Sequence, residues 1–177
     1  MPLIIKVLLA ARVLAAGIYD IRYRRIPNWL VLTGLLAGLA LNGFLFGWGG
    51  LRMSLVGFAV AFAVYFPLWI LRGMGAGDVK LMAAVGALVG WHAWLVIFIL
   101  TGLLGGVIAI VLMLAKGRVR KTLWNTGYIV YEMAHFRSPH FRDPELDIKD
   151  PRAVTLPHGA VIALGCLAFL GAAAVWG

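Results

Sequence analysis

The chain holds seven acidic residues, and two of them, Asp20 and Asp78, stand apart. The other five, Glu132, Asp143, Glu145, Asp147 and Asp150, fall together in the polar stretch 116–155. Asp20 closes one long apolar block and Asp78 opens another. Ionisable groups beside the membrane interior are costly to keep there, which makes them functional candidates by default. Two carboxylates brought close cannot both ionise comfortably, so they share a proton. Such a pair is equipped for amide hydrolysis. One carboxylate takes a proton from water while the other, protonated, polarises the carbonyl. Either aspartate could fill either role. One aspartate among arginines reads as an ordinary boundary charge. Two, each beside a special backbone signal, point to chemistry.

Those signals are local. Asp20 lies in Tyr19-Asp20-Ile21-Arg22-Tyr23-Arg24-Arg25-Ile26-Pro27-Asn28. Pro27 and Asn28 suit the start of the next helix, through a fixed φ and a capping side chain. Asp78 lies in Gly73-Met74-Gly75-Ala76-Gly77-Asp78-Val79-Lys80. Alternating glycines oppose a settled helix, let backbone approach backbone, and predict a bent start to the helix that carries Asp78. A nucleotide-binding loop would need a Gly-Lys-Ser/Thr ending and a preceding strand, and neither is present.

The elements that must position the pair are membrane helices. The chain of 177 residues is 63% hydrophobic, with a mean hydropathy of +0.95, against roughly 45–50% apolar residues in soluble domains. The apolar residues form solid runs separated by basic stretches, which predicts helical spans rather than the alternating strands of a barrel. We read an all-α, polytopic bundle of six spans over 2–19, 29–47, 53–71, 79–90, 93–115 and 156–176, forming a single membrane domain over 1–177. The run 79–115 is too long for one span, and Gly90, Trp91 and His92 offer the turn that divides it.

If the spans alternate, the basic clusters collect on one side: Arg22, Arg24 and Arg25, then Arg72 and Lys80, then Lys116, Arg118, Arg120, Lys121, Arg137, Arg142, Lys149 and Arg152, while the opposite turns show only Arg52. That side is expected to be cytoplasmic. Both aspartates then face the cytoplasm, both termini face outward, and 116–155 is a cytoplasmic loop between spans five and six. Trp29 and Trp69 fall at inner span ends, and Trp48, Trp91, Trp94 and Trp176 at outer ones, as in interfacial belts. Small-residue pairs at four-residue spacing, Gly34 with Gly38, Gly43 with Gly47, Gly86 with Gly90 and Gly102 with Gly106, suit close helix packing.

Other classes fall away. The net charge of +9 follows the membrane flanks rather than a separate basic face, so a nucleic-acid partner is not expected. Cys166 is the single cysteine, is expected to be a buried packing residue, and excludes a CxxC site. His135 and His140, among the acids of the long loop, match no standard metal spacing, so no metal and no cofactor is assigned. In the same loop Leu123, Trp124, Tyr128, Ile129 and Tyr131 interleave with basic residues, as either an interfacial helix on anionic lipid or a solvated loop. Lys6 and Arg12 interrupt the first apolar stretch, which favours a retained span over a cleaved signal. Arg12 either snorkels or faces the bundle toward a carboxylate. Lys80 is expected to anchor at the interface.

At these residues the chain resembles the prepilin peptidases, or type IV leader peptidases. That family shows an aspartate, a basic loop and Ile-Pro-Asn, here Asp20 with Ile26-Pro27-Asn28. A Gly-x-Gly-Asp motif then runs into Val-Lys-Leu, here Gly75-Ala76-Gly77-Asp78-Val79-Lys80-Leu81. Leu156-Pro157-His158-Gly159 looks like the family's Pro-x-Gly start to the last span. The resemblance covers essentially the whole chain from Asp20 onward.

It implies a six-helix bacterial inner-membrane aspartic endopeptidase that cleaves the short basic leader of prepilin-like or pseudopilin substrates on the cytoplasmic side. Asp20 and Asp78 would be its catalytic pair, with Gly75, Gly77, Lys80, Pro27, Asn28, Pro157 and Gly159 in support. Larger members add a cytoplasmic segment with paired cysteines and N-methylate the product. This chain looks like the compact form of tight-adherence (Flp-type) pilus systems, and the resemblance gives no support to methyl transfer. Presenilin-like proteases share Tyr-Asp and Gly-x-Gly-Asp but have about nine spans. Two other classes fit the carboxylates: a proton- or ion-coupled transporter, and a non-catalytic membrane assembly subunit. Oligomeric state is not legible.

Overall fold

The computed structural model describes residues 1–70, 74–115 and 157–175, together with positions 124, 127 and 131. The described residues form helices only: α1 (Leu3–Tyr23), α2 (Asn28–Ile70), α3 (Ala76–Ala115) and α4 (His158–Val175). The last three are long and apolar enough to cross a membrane. Arg72, Gly73 and nearly all of the stretch 116–155 lie outside the described residues, as does Trp176.

Each helix boundary has a local cause. Helix α1 runs one turn beyond the expected end of the first span. It stops where Arg24 turns left-handed (φ 52°, ψ 32°) and sends its N–H to the Asp20 carbonyl at 2.9 Å. Asp20 is therefore inside the last turn of α1 rather than after it. Helices α2 and α4 each start behind a proline. The Pro27 carbonyl accepts from Leu30 N at 3.1 Å, and the Pro157 carbonyl from Ala160 N at 3.1 Å. Helix α3 starts behind glycine instead, with Gly75 O accepting from Asp78 N at 3.1 Å.

Two glycines turn the long helices back on themselves. Gly47 (φ 61°, ψ −145°) breaks α2, and Gly90 (φ 77°, ψ 167°) breaks α3. Only glycine takes such angles without strain. Past Gly47 the chain reverses, which brings the β-position of Gly50 against the Asn42 carbonyl. The break in α3 falls in the expected Gly90-Trp91-His92 turn. The break in α2 is a single residue, tighter than the gap expected between residues 47 and 53.

The first limb of α3 is the centre of the molecule. Val79 and every residue from Leu81 to Gly90 are buried. The first limb of α2 lies parallel to it, with Gly34 against Ala84 and Gly38 against Leu88. The second limb of α2 returns antiparallel, with Gly57 and Gly86 in mutual backbone contact. Helix α4 runs antiparallel to the second limb of α3, with Gly165 on Thr101 and Val161 on Gly105. Close approach through small residues gives van der Waals contact where lipid supplies no hydrophobic drive between helices. Of the expected pairs, Gly34, Gly38, Gly86 and Gly90 pack this way, whereas Gly43, Gly102 and Gly106 face no neighbouring atom within 4 Å.

The breaks also release backbone carbonyls, and buried polar side chains take them up. Asn42 Nδ2 donates to the carbonyls of Ala87 (3.2 Å) and Leu88 (3.0 Å), and Ser54 Oγ donates to Ala87. Cys166 is buried, as expected. Trp94 is not an interfacial residue: it is 0% exposed, stacked on Phe98 at 5.4 Å and edge-on to Tyr65 at 6.1 Å. In a helix that is apolar on every side, composition does not say which ring faces inward. Trp29, Trp48, Trp69 and Trp91 are all exposed.

Candidate active site

Asp20 belongs to the buried stripe of α1. Ile5, Leu9, Val13, Ala16, Gly17 and Asp20 recur at helical spacing and form its buried face. That face packs on α4, where the β-position of Gly17 lies 3.1 Å from the Ala163 Cβ. The carboxylate consequently points into protein and is 8% exposed. The backbone N–H of Gly159, second residue of α4, donates to Asp20 Oδ2 at 2.8 Å. Amides in the first turn of a helix have no partner within the helix, so a carboxylate is a natural acceptor. A β-carbon at Gly159 would lie 3.0 Å from Asp20 Cβ and 3.1 Å from its Cγ. Glycine here lets the acid and the amide meet.

Asp78 is the third residue of α3, half-buried at the head of the central limb. Gly75 sits just ahead of the helix, its β-position 3.2 Å from Asp78 Oδ2. Gly77, on the first turn, packs its open face on Ile26, whose Cβ is 3.2 Å from the Gly77 β-position. Ile26 also reaches α4, where its Cδ1 lies 3.0 Å from the Gly159 β-position. One isoleucine in the α1–α2 connection therefore touches the glycine beside each aspartate. Asp78 is within electrostatic range of both Asp20 and His158. The two acids, distant in the chain, lie at the same end of the bundle, on either side of Ile26.

The supporting residues divide. Gly75, Gly77 and Gly159 line the pair. Pro27 and Pro157 set the starts of α2 and α4. Lys80 and Asn28 join each other, with Lys80 Nζ donating to Asn28 Oδ1 at 3.1 Å, so Lys80 ties α3 to the start of α2. Among the described residues, Arg12 meets no carboxylate. Its guanidinium donates to the Leu30 carbonyl at 3.2 Å and to the Thr33 hydroxyl. Tyr19 of α1 meets Trp29 of α2 edge-on at 6.4 Å, which levels residue 19 with residue 29. At 1.5 Å of rise per residue, the Arg12 backbone is roughly 4–5 Å deeper than Thr33. The side chain therefore reaches toward the end that carries the acids, which is snorkelling.

Sequence reasoning missed three participants. Ile26 was legible only as part of Ile-Pro-Asn, His158 only as the variable position of Pro-x-Gly, and the Gly159 amide not at all.

Residues 7–110, more than half of the chain, match the profile of the type IV leader peptidase family. The chain belongs to this family. Among curated proteins, the prepilin leader peptidase/N-methyltransferase of Escherichia coli strain K12 is 32% identical over 136 residues, covering 67% of this chain and 60% of its own length. That of Myxococcus xanthus is 32% identical over 114 residues, covering 60% of this chain and 34% of its own length. That of Aeromonas salmonicida is 36% identical over 107 residues, covering 55% and 35%. The chain thus spans between about a third and 60% of these relatives. The family match contains both aspartates, Ile26-Pro27-Asn28 and the Gly-x-Gly-Asp motif. No solved structure matches the chain.

Proposed function

We propose that this chain is a membrane aspartic endopeptidase that removes the basic leader of prepilin-like proteins, with Asp20 and Asp78 as its catalytic pair. The observation that carries this reading is the convergence of the two acids at one end of the bundle, where Ile26 touches both adjoining glycines. In the reaction a water lies between the carboxylates. One accepts a proton as the water oxygen attacks the scissile carbonyl carbon. The other, protonated, hydrogen-bonds the carbonyl oxygen as it gains charge. Collapse of the tetrahedral adduct breaks the C–N bond, and the departing amine takes a proton from the pair. The Gly159 amide holds one Asp20 oxygen, which fixes the orientation of that carboxylate throughout.

In this reading the limbs on either side of Gly47 and Gly90 are separate spans. With α1 and α4 they make six in one domain, with both termini outside the cytoplasm and the pair at the cytoplasmic boundary of a bacterial inner membrane. The substrate presents its leader there while its apolar helix stays in lipid. A site at the end of the bundle favours proteolysis over transport, which would need a site near mid-membrane.

The test is reconstitution. The chain is purified, placed in liposomes with a prepilin bearing a basic leader, and the products are read by mass spectrometry. The proposal predicts a released leader and a trimmed pilin. Intact substrate, or an ion flux dependent on Asp78 with no peptide product, would overturn it.

A further inference from the structure

The second limb of α2 and the first limb of α3 face each other antiparallel. The β-position of Gly90 meets the Met53 side chain at 2.8 Å, and Gly57 and Gly86 touch through their backbones. Four residues, about one turn on each helix, separate these contacts on both sides. The β-position of Gly57 also lies 3.0 Å from Gly90 Cα, and Ala61, 0% exposed, has its Cβ 2.9 Å from the Gly86 β-position, so each of these α2 residues faces a turn of α3 rather than one residue. One further turn along α2 sets Tyr65 over the turn of α3 from Asp78 to Met82.

Tyr65 is a poor candidate for plain filling. It is 4% exposed, and a buried tyrosine normally finds a partner for its hydroxyl. Its ring is fixed edge-on by Trp94 at 6.1 Å and Phe98 at 5.8 Å. Asp78 and Cys166 both lie within its electrostatic range, and of the two a carboxylate is much the better acceptor. Among the described residues, the ionisable groups around Asp78 include Asp20 from α1, His158 from α4, Tyr65 from α2 and Lys80 on its own helix. Lys80 Nζ is engaged by Asn28. Among these described groups, Tyr65 approaches from the second limb of α2 and carries a hydroxyl proton to donate.

We propose that Tyr65 is a positioning residue for Asp78. In the working complex its phenolic O–H donates, directly or through one water, to the Asp78 oxygen on the core side. The other oxygen is thereby turned toward Asp20 and the substrate. This rests on the reading of Asp78 as catalytic.

The test is Tyr65→Phe, which keeps the ring between Trp94 and Phe98 and removes only the hydroxyl. Leader cleavage is measured in liposomes, with thermal unfolding of the same preparation. The proposal predicts a fall in kcat of roughly 10- to 100-fold, the usual scale for one hydrogen bond to a charged group. KM and the unfolding midpoint stay unchanged, and Cys166→Ala has wild-type kcat. Wild-type kcat in Tyr65→Phe would overturn the proposal, as would a loss matched by an equal fall in folded protein. Asp78→Asn, run alongside, separates the two readings. If it is inactive while Tyr65→Phe is fully active, only the role of Tyr65 fails. If Asp78→Asn is itself active, the catalytic assignment fails.

Discussion

The backbone N–H of Gly159 and the Oδ2 of Asp20 are 2.8 Å apart, across a gap of 139 residues in the chain. This one bond ties the first helix to the start of the last. It also fixes the orientation of a carboxylate that is 8% exposed.

Gly159→Ala tests that bond. Its new methyl would crowd Asp20 Cβ, Asp20 Cγ and Ile26 Cδ1, all at 3.0–3.1 Å. The acid would move, and a displacement of about 1 Å at a reacting group can cost on the order of 10²-fold in rate. The expected result is a kcat reduced by about that factor, with overpacking of roughly 1–3 kcal/mol seen in unfolding measurements. A variant with wild-type kcat would show that the orientation of Asp20 does not matter.

Arg12→Met addresses the snorkelled arginine. It removes hydrogen bonds to the Leu30 carbonyl and the Thr33 hydroxyl but no contact with either acid. The account predicts a stability loss of about 1 kcal/mol and a kcat within roughly threefold of wild type. Thr33→Val should cost less in the Arg12→Met background than alone. Strict additivity of the two changes would mean that the pair does not interact.

Asn42→Leu probes the turn at the opposite end. Asn42 is 0% exposed, and its amide donates to Gly38, Ala87 and Leu88 carbonyls. Leucine keeps the volume but leaves buried carbonyls short of a donor, at a cost of roughly 1–3 kcal/mol. Detergent or thermal unfolding should report that loss. Wild-type stability would place the work of holding the Gly90 break on Ser54 alone.

Much of this was legible in the sequence because hydropathy and glycine act locally. Solid apolar runs predict helices, and Gly90 falls where the run 79–115 has to divide. The aspartates were found because charge is conspicuous against an apolar background. What the sequence hid was direction. From sequence Trp94 reads as an interfacial ring, because its helix is apolar on every side, and only the packing of Tyr65 and Phe98 places it inside. Arg12 left two readings open until Thr33 of a neighbouring helix came within reach. The Gly159 amide was invisible for a different reason: a backbone donor has no residue type. Tyr65 became informative only through the register set by Gly57 and Gly86.

Replacing the acids themselves tests the central claim most directly. Asp20→Asn, Asp78→Asn and the double variant keep the shape of each side chain and remove its capacity to exchange a proton. Leader cleavage is then measured under single-turnover conditions, with membrane insertion verified for each. Residues that act as one unit are strongly non-additive. The account predicts that each single variant falls to background and that the double variant falls no further. Cleavage at the wild-type rate by either single variant would contradict it.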